Sequence, residues 1–588
     1  MPHNESTTSP EKLDHIRHSL AHLLAAAVLK EFPDAKLGIG PTIESGFYYD
    51  FLLPRAVTPD DLKMLEKTMR GFVNKKLPFT GREVTAAEAK KLFAEQPFKL
   101  DLINEFSTDS KKLTVYETGD IFMDLCRGGH VENTSEIPAD GFKLDKIAGA
   151  YWRGDEKNQQ LQRIYGLAFE SKEALKDYEK MLEEAKKRDH RKLGKELQLF
   201  TIIDEIGPGL PLFYPKGAIL RRTLENYITD LQEQRGYVPI WIPHITKGEL
   251  YKISGHLDKY DAMYPPMDLK GEAKYYLKPM NCPHFMMLYK TIPHSYRELP
   301  VRYTCTTTNY RYEKSGELSG LTRVRALTQD DCHVFVRPDQ IEHEINLMLD
   351  MVAEVYKTFG FDDFWVRIST HDPANKDKYI GDQKIWADSE ATLTELIKKR
   401  GWKYDIGVGE AAFYGPKLDF IFKDVIGRDW QLSTIQLDMN LPQRFELEYI
   451  DENSEKQRPV VIHRAILGST ERFLGILIEH FAGKFPIWLA PVQATILPIS
   501  EKFSDYAKKT YDAMTDAGVR AELSAANESL GKRIREAEMM KIPYVLVVGE
   551  KEEAAGTVNV RDRKGEEKEM PLAEFIKKIE SEIKEKTL

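Results

Sequence analysis

Between Val301 and Phe335 the chain reads VRYTCTTTNYRYEKSGELSGLTRVRALTQDDCHVF, a strand, a polar loop and a returning strand. Val301, Tyr303 and Cys305 alternate with Arg302, Thr304 and Thr306, the two-residue period of an extended chain. Glycine and serine in KSGELSG break the pattern, as a connection between strands requires. On the return, Arg323, Arg325, Gln329, Asp331 and His333 hold odd positions and are expected on one face. Arg311 and Glu313 are expected to share a face of the outgoing strand in the same way. Two readings stay open: a solvated face laced with ion pairs, or a buried face whose polar groups a ligand satisfies. Val324, Ala326, Leu327, Val334 and Phe335 favour burial. Arginine forks suit phosphate oxygens, and Glu313 is free to take an amine.

An Arg-x-Glu at a strand end, a variable loop and a returning strand resemble motif 2 of the class II aminoacyl-tRNA synthetases. The run ALTQDDCHVF narrows the resemblance to the threonyl-tRNA synthetase family. That resemblance implies that Arg311, Glu313, Arg323 and Gln329 belong to the catalytic site. The helix KGAILRRTLENYITDLQEQRG and the strand YVPIWIPHI, with Pro243, are similar to motif 1, which implies a homodimer. GSTERFLGILIEHF resembles motif 3, whose arginine, here Arg472, contacts ATP; a lone helix arginine is otherwise a surface charge. Tyr414 and Lys417 in GEAAFYGPKLDF, with Gln431 and Gln436 in WQLSTIQLD, line the threonine and adenylate pocket by the same resemblance.

Cys282 (YYLKPMNCPHF), His333 (TQDDCHVF) and His463 (VVIHRAILGS) are scattered, so no spacing motif reveals them. One cysteine and two histidines suffice for a zinc ion with an open position, and they match the family's zinc ligands. Cys332 is expected on the opposite face of its strand. Phe285 is a departure, since relatives often carry histidine there. A metal that takes both the amine and the hydroxyl of threonine rejects the isosteric valine, with Asp331 accepting the hydroxyl proton. Serine lacks only a methyl, worth about 1–3 kcal/mol of discrimination. Serine errors are therefore expected, and an editing site is the logical companion. Mg2+ is expected with ATP.

His18 and His22 stand four apart in HSLAHLL, on one helical face, and Cys126 and His130 stand four apart in DLCRGGHV. The four could form a tetrahedral zinc site, or be unrelated; HSLAH lacks the glutamate of a metalloprotease helix. With GPTIESGFYYDF, AGAYWRGD and LQRIYG, these runs resemble the family's editing domain, which hydrolyses Ser-tRNA. The resemblance makes His18, His22, Cys126 and His130 the editing site, Asp124 and Lys99 its neighbours, and no metal is expected there. Gly129 stands where many relatives have proline.

From Ser171 to Lys195 the chain is charged and helical, with Leu175, Tyr178, Met181, Leu182 and Ala185 as a narrow apolar stripe. The basic KKRDHRKLGK reads either as a solvated face or as a phosphate contact. Beyond Pro491, strands and helices alternate, which predicts a mostly parallel sheet. This part resembles the anticodon-binding domain of class II synthetases, with Arg535, Glu552 and Arg561 as expected anticodon contacts.

The fold class expected is α/β and α+β multidomain: an N-terminal α+β editing domain (1–170), a linker helix (171–196), an antiparallel-sheet class II catalytic domain (197–488) and a C-terminal α/β anticodon-binding domain (489–588). Four cysteines without a CxxC pair argue against a disulfide framework. No apolar run is long enough for a membrane, so a cytoplasmic protein is expected. A net charge of −9 neither announces nor excludes tRNA, because binding rests on local basic patches. Two other readings stay open: a seryl- or prolyl-type synthetase, and a non-catalytic RNA-binding paralogue.

Overall fold

The computed structural model describes residues 9–108, 113–269 and 273–588. It divides into two compact units, Met1–Glu183 and Glu184–Leu588.

The first unit is built around the helix Pro10–Glu31, capped by Ser9, whose side chain accepts from the Lys12 amide. Residues from Ser19 to Val28 are buried all round rather than on one stripe, as expected of a helix enclosed by its own domain. A five-stranded antiparallel sheet packs Phe47, Tyr49, Phe51, Phe142 and Ile164 into the same core. A three-stranded sheet (Phe79–Val84, Leu113–Thr118, Phe122–Leu125) ends beside this helix. That ending places Cys126 one residue past a strand.

The second unit begins inside the helix Lys172–Arg188. The single linker helix expected over 171–196 is two helices. Asp189 breaks the run and caps His190–Glu196, accepting from the Arg191 amide. The second of these is no solvated spacer, because His190, Leu193 and Gly194 are buried.

The catalytic sheet has eight strands, in the order Val238–Pro239, Val301–Tyr310, Ala326–Val336, Val460–Ala465, Asp429–Asp438, Lys417–Lys423, Phe364–Thr370, Tyr404–Val408. All pairs are antiparallel except the outermost at each edge. One face packs the helices Pro215–Gln234, Ile341–Phe359 and Thr470–His480 into the largest core. The expected outgoing and returning strands pair from Val301↔Phe335 to Tyr310↔Ala326. Two expectations fail at their ends. Arg311 and Glu313 lie beyond the outgoing strand, and Arg323 and Arg325 precede the returning one. The physical reason is a turn in which the Glu313 amide donates to the Arg311 carbonyl and the Arg311 amide to the Arg325 carbonyl, closing the hairpin earlier than alternation implies. The motif 1 strand is also shorter than YVPIWIPHI suggests. Only Val238–Pro239 joins the sheet, and prolines at 239 and 243 each remove a ladder donor.

The C-terminal sheet is mixed rather than mostly parallel. Ala494–Pro498 pairs in parallel with Ala521–Leu523 and Tyr544–Val548, but Thr557–Asp562 and Glu567–Pro571 add antiparallel. The chain after Tyr544–Val548 returns through the six-residue helix Glu550–Ala555, too short for a parallel crossover.

Candidate active sites

In the second unit, eight residues expected at the catalytic site line one cavity of about 210 Å³: Arg311, Glu313, Arg323, Gln329, Lys417, Gln431, Gln436 and Arg472. The floor is the sheet face, and the rim is the hairpin loop and the start of the helix Thr470–His480. Ser469 caps that helix by accepting from the Arg472 amide, which aims Arg472 back over the sheet. The Arg472 Nε donates to the Thr322 carbonyl at 2.9 Å. Burial, then Arg311 and Arg323, lower the pKa of Arg472. Guanidinium groups crowded in this way call for an anion between them. Glu313 accepts from Arg323 at 2.8 Å, and Asn309 donates to Gln329 at 2.6 Å. Lys417 pairs with Asp419, which also accepts from Gln431 at 2.7 Å and from Thr434 at 3.1 Å.

The metal-type donors gather beside this cavity. Cys282 starts the helix Cys282–Lys290, and His333 and His463 face each other across neighbouring strands; one ligand atom from each lies within 4.8 Å of the others. All three are buried. Among the described residues both ring nitrogens of His333 and the Nδ1 of His463 lack a hydrogen-bond partner, a cost that a bound cation would relieve at one nitrogen of each ring. His463 Nε2 is 2.9 Å from Asp438 Oδ2, and Asp438 Oδ1 accepts the amides of Asn440 and Leu441. Burial lowers the His463 pKa, but the Cys282 sulfur and Asp438 outweigh it and push it up to about 10, so the spot attracts positive charge. Asp331, its pKa raised by burial, accepts from Asn281 at 2.8 Å and lies 3.6 Å from His333. Tyr414 stacks on His463 at 5.1 Å and donates to Gln436 at 2.5 Å. Phe285 stacks on His333 at 4.1 Å, so the departure at this position packs against the ring of His333. Cys332 packs in the core on the far face of its strand, as expected.

Sequence reasoning missed several residues here. Asp438 and Asp419 could have been found by strand alternation with Gln436 and Lys417. Lys278, its pKa lowered by burial to about 8, donates to Asn281 at 2.9 Å, but lies in a run without periodicity. His256, fully buried and lowered by burial to about 3, carries no sequence signal.

In the first unit, His18, His22, Lys99, Asp124 and Cys126 line a cavity of about 430 Å³. Cys126 Sγ lies 3.5 Å from His18 Nε2 and 3.3 Å from His130 Nε2; the Nδ1 of His130 is 3.2 Å from Ser19 Oγ. Burial lowers the pKa of His18, His22 and His130 and raises the Cys126 thiol to about 11. The group is therefore neutral at pH 7. Lys99 and Asp124 form a buried pair at 2.6 Å, with Tyr49 donating to Asp124 at 2.5 Å. Gly129, at φ +83°, adopts a conformation closed to proline. The four donors lie within 4.8 Å of one another, near enough to share a cation as well.

In the C-terminal domain Arg561 lines a cavity with Lys484, Lys541, Arg563 and Lys564. It is held by Glu538 and Glu567 at 3.0 and 2.8 Å. Arg535 is exposed on the helix Leu530–Met539, and Glu552 accepts the Gly549 amide.

An antiparallel sheet carrying an arginine-lined pocket, with a mixed-sheet domain after it, defines a class II aminoacyl-tRNA synthetase. Residues 267–481 match the tRNA synthetase class II core domain (G, H, P, S and T), 493–582 the anticodon binding domain, and 113–165 the threonyl and alanyl tRNA synthetase second additional domain. Among curated proteins, the threonine–tRNA ligase of Gloeobacter violaceus is 50% identical over 99% of this chain and 94% of its own length. That of Rubrobacter xylanophilus is 48% identical over 98% and 90%. A crystal structure described as the RNA binding domain of threonyl-tRNA synthetase from Cryptosporidium parvum Iowa II superposes with a TM-score of 0.64 at 37% identity, covering 67% of this chain and 98% of that one. The chain belongs to the threonine–tRNA ligase family.

Proposed function

We propose that this chain activates L-threonine with ATP, transfers it to the 3′ end of tRNA(Thr), and hydrolyses Ser-tRNA(Thr) in its N-terminal unit. The observation that carries the reading is the adjacency of two features: an arginine cavity fit for triphosphate, and buried Cys282, His333 and His463 with unpartnered ring nitrogens. Cys282, His333 and His463 would hold one zinc ion, which when bound supplies a Lewis acid for the amine and hydroxyl of threonine. Asp438 fixes the ring of His463, as a carboxylate behind a metal-bound histidine does. Asp331 accepts the hydroxyl proton of the substrate. Arg311 and Arg472 stabilise the charge that develops as the threonine carboxylate attacks the α-phosphate of ATP, used with Mg2+. Glu313, Arg323, Gln329, Tyr414, Lys417, Gln431 and Gln436 orient ATP and the adenylate.

In the editing unit a neutral histidine of the group His18, His22 and His130 takes a proton from the hydrolytic water. Lys99 and Asp124 hold the ester end of the substrate. Arg535, Glu552 and Arg561 contact the anticodon. The two ion pairs of Arg561 are partly exposed and cost little to exchange for a base. The domain assignment that goes with this is 1–170, 171–196, 197–488 and 489–588, acting as a cytoplasmic homodimer with no membrane partner. No helix among the described residues is long and apolar enough to cross a membrane.

The test is ATP–pyrophosphate exchange with threonine, serine and valine. Strong threonine, weaker serine and negligible valine exchange are expected. Preference for another amino acid would discard the substrate, and no exchange at all would turn the reading toward a non-catalytic RNA-binding protein.

A further inference from the structure

We infer that His190 is a positioning residue for the ATP side of the synthetic site, holding the returning limb of the hairpin loop against the helix Thr470–His480. The inference rests on the synthetase reading above. His190 is the first residue of the helix His190–Glu196 and is 3% exposed. Both its ring nitrogens are used. Nδ1 lies 2.7 Å from Glu479 Oε1, and Nε2 lies 3.0 Å from the Leu321 amide nitrogen. Since an amide can only donate, Nε2 accepts and Nδ1 carries the proton toward the carboxylate. The His190 amide donates to the same Glu479 oxygen at 3.1 Å.

What His190 grips is the loop segment that touches Arg472. The Thr322 carbonyl, one residue beyond the bonded Leu321 amide, accepts from Arg472 Nε. Arg472, Gly475 and Glu479 recur at helical spacing and share one face of Thr470–His480. Arg472 meets the loop carbonyl, and Glu479 meets His190. At Gly475 a Cβ would come within 3.3 Å of Leu321 and Thr322 and 3.6 Å of His190. Gly320 adopts φ +47°, and a Cβ there would meet His190 Nε2 at 2.2 Å, so the loop passes the ring where only glycine fits. Arg188 donates to the carbonyls of Glu479 and His480, tying down the end of the same helix. Arg428 also bonds Glu479, and Arg191 occupies Asp189, so this acidic cluster is filled by hydrogen bonds and is no cation site.

Each half of the ring can be kept separately. In His190→Asn the amide nitrogen replaces Nδ1 and keeps Glu479, but nothing reaches the Leu321 amide. In His190→Gln the longer side chain places a carbonyl oxygen near the Nε2 position and keeps an acceptor for Leu321. In full-length enzyme assayed by pyrophosphate exchange, H190N is expected to raise KM for ATP about tenfold, with KM for threonine within about twofold. H190Q is expected to recover most of that loss. Hydrolysis of pre-formed Ser-tRNA stays unchanged in both. Equal defects in the two variants, scaling with a fall in Tm, would overturn the proposal, as would a rise in KM for threonine matching that for ATP. Absence of threonine-dependent exchange in the unmodified protein would instead strike the synthetase reading, whatever His190 does.

Discussion

At the scale of the residue, the telling group is Asp438, which no motif marked. It accepts two backbone amides on one oxygen and faces His463 Nε2 with the other, so the imidazole has one orientation and one free nitrogen. Asp438→Asn keeps the shape but removes the charge, and a drop of about 10–100-fold in zinc affinity is expected, read by competition with a chelator. Unchanged affinity would mean that His463 is oriented by packing against Tyr414 alone. Cys282→Ser goes further: threonine-dependent exchange should vanish while Ser-tRNA hydrolysis persists. Survival of exchange would remove zinc from the mechanism. The cluster of Cys282, His333 and His463 was legible because each residue sits in a distinctive run. Asp438 was not, since its role comes from facing His463 across neighbouring strands.

At the scale of the element, the helix Pro10–Glu31 carries His18 and His22 one turn apart, the first half-buried at the cavity and the second buried. Burial lowers His18, His22 and His130, and the sign of the pH effect follows. Above pH 6.5 folded and unfolded chains both carry neutral rings. Below it the unfolded chain takes up protons that the folded site refuses, so stability falls as the solution is acidified. For the same reason a neutral base persists in the fold, and Ser-tRNA hydrolysis should stay level from pH 8 to 6.5 and decline only at lower pH. A half-maximum at or above 6.5 would show histidines as solvated as free imidazole. His18→Ala should leave charging intact and let Ser-tRNA(Thr) accumulate; no rise in mischarging would sink the editing assignment. The period-two alternation gave the sheet pairing from 301 to 335, because a buried ladder tolerates no slip. It failed at Arg311, Glu313, Arg323 and Arg325, where turn hydrogen bonds, invisible to periodicity, set the geometry; the first three of these line the pocket.

At the scale of the whole molecule, the alternation of elements after Pro491 made the C-terminal α/β domain legible, but the direction of its last strands was not. That direction depends on whether a connection is long enough to cross over, and Glu550–Ala555 is not. The proposed homodimer can be tested at the edge of the catalytic sheet. Its edge strand, Val238–Pro239, has no partner on its outer side among the described residues. Val238 is 55% exposed, Trp241 77% and Ile245 49%, all within eight residues of one segment. A large aromatic left in water next to an open sheet edge is a liability unless something covers it. In a chain read as a class II synthetase the fitting cover is the same edge of a second copy, since a two-fold axis makes one patch complementary to itself. Each chain weighs 67.7 kDa, so sedimentation equilibrium at micromolar concentration should return twice that mass. Replacing Val238 with Lys and Trp241 with Glu together puts charge into the buried centre of such an interface, and the mass should fall to that of one chain. If the unaltered protein sediments as a single chain, the exposed segment serves another partner and the dimer is wrong. If the double variant remains dimeric, the two-fold contact lies elsewhere on the molecule.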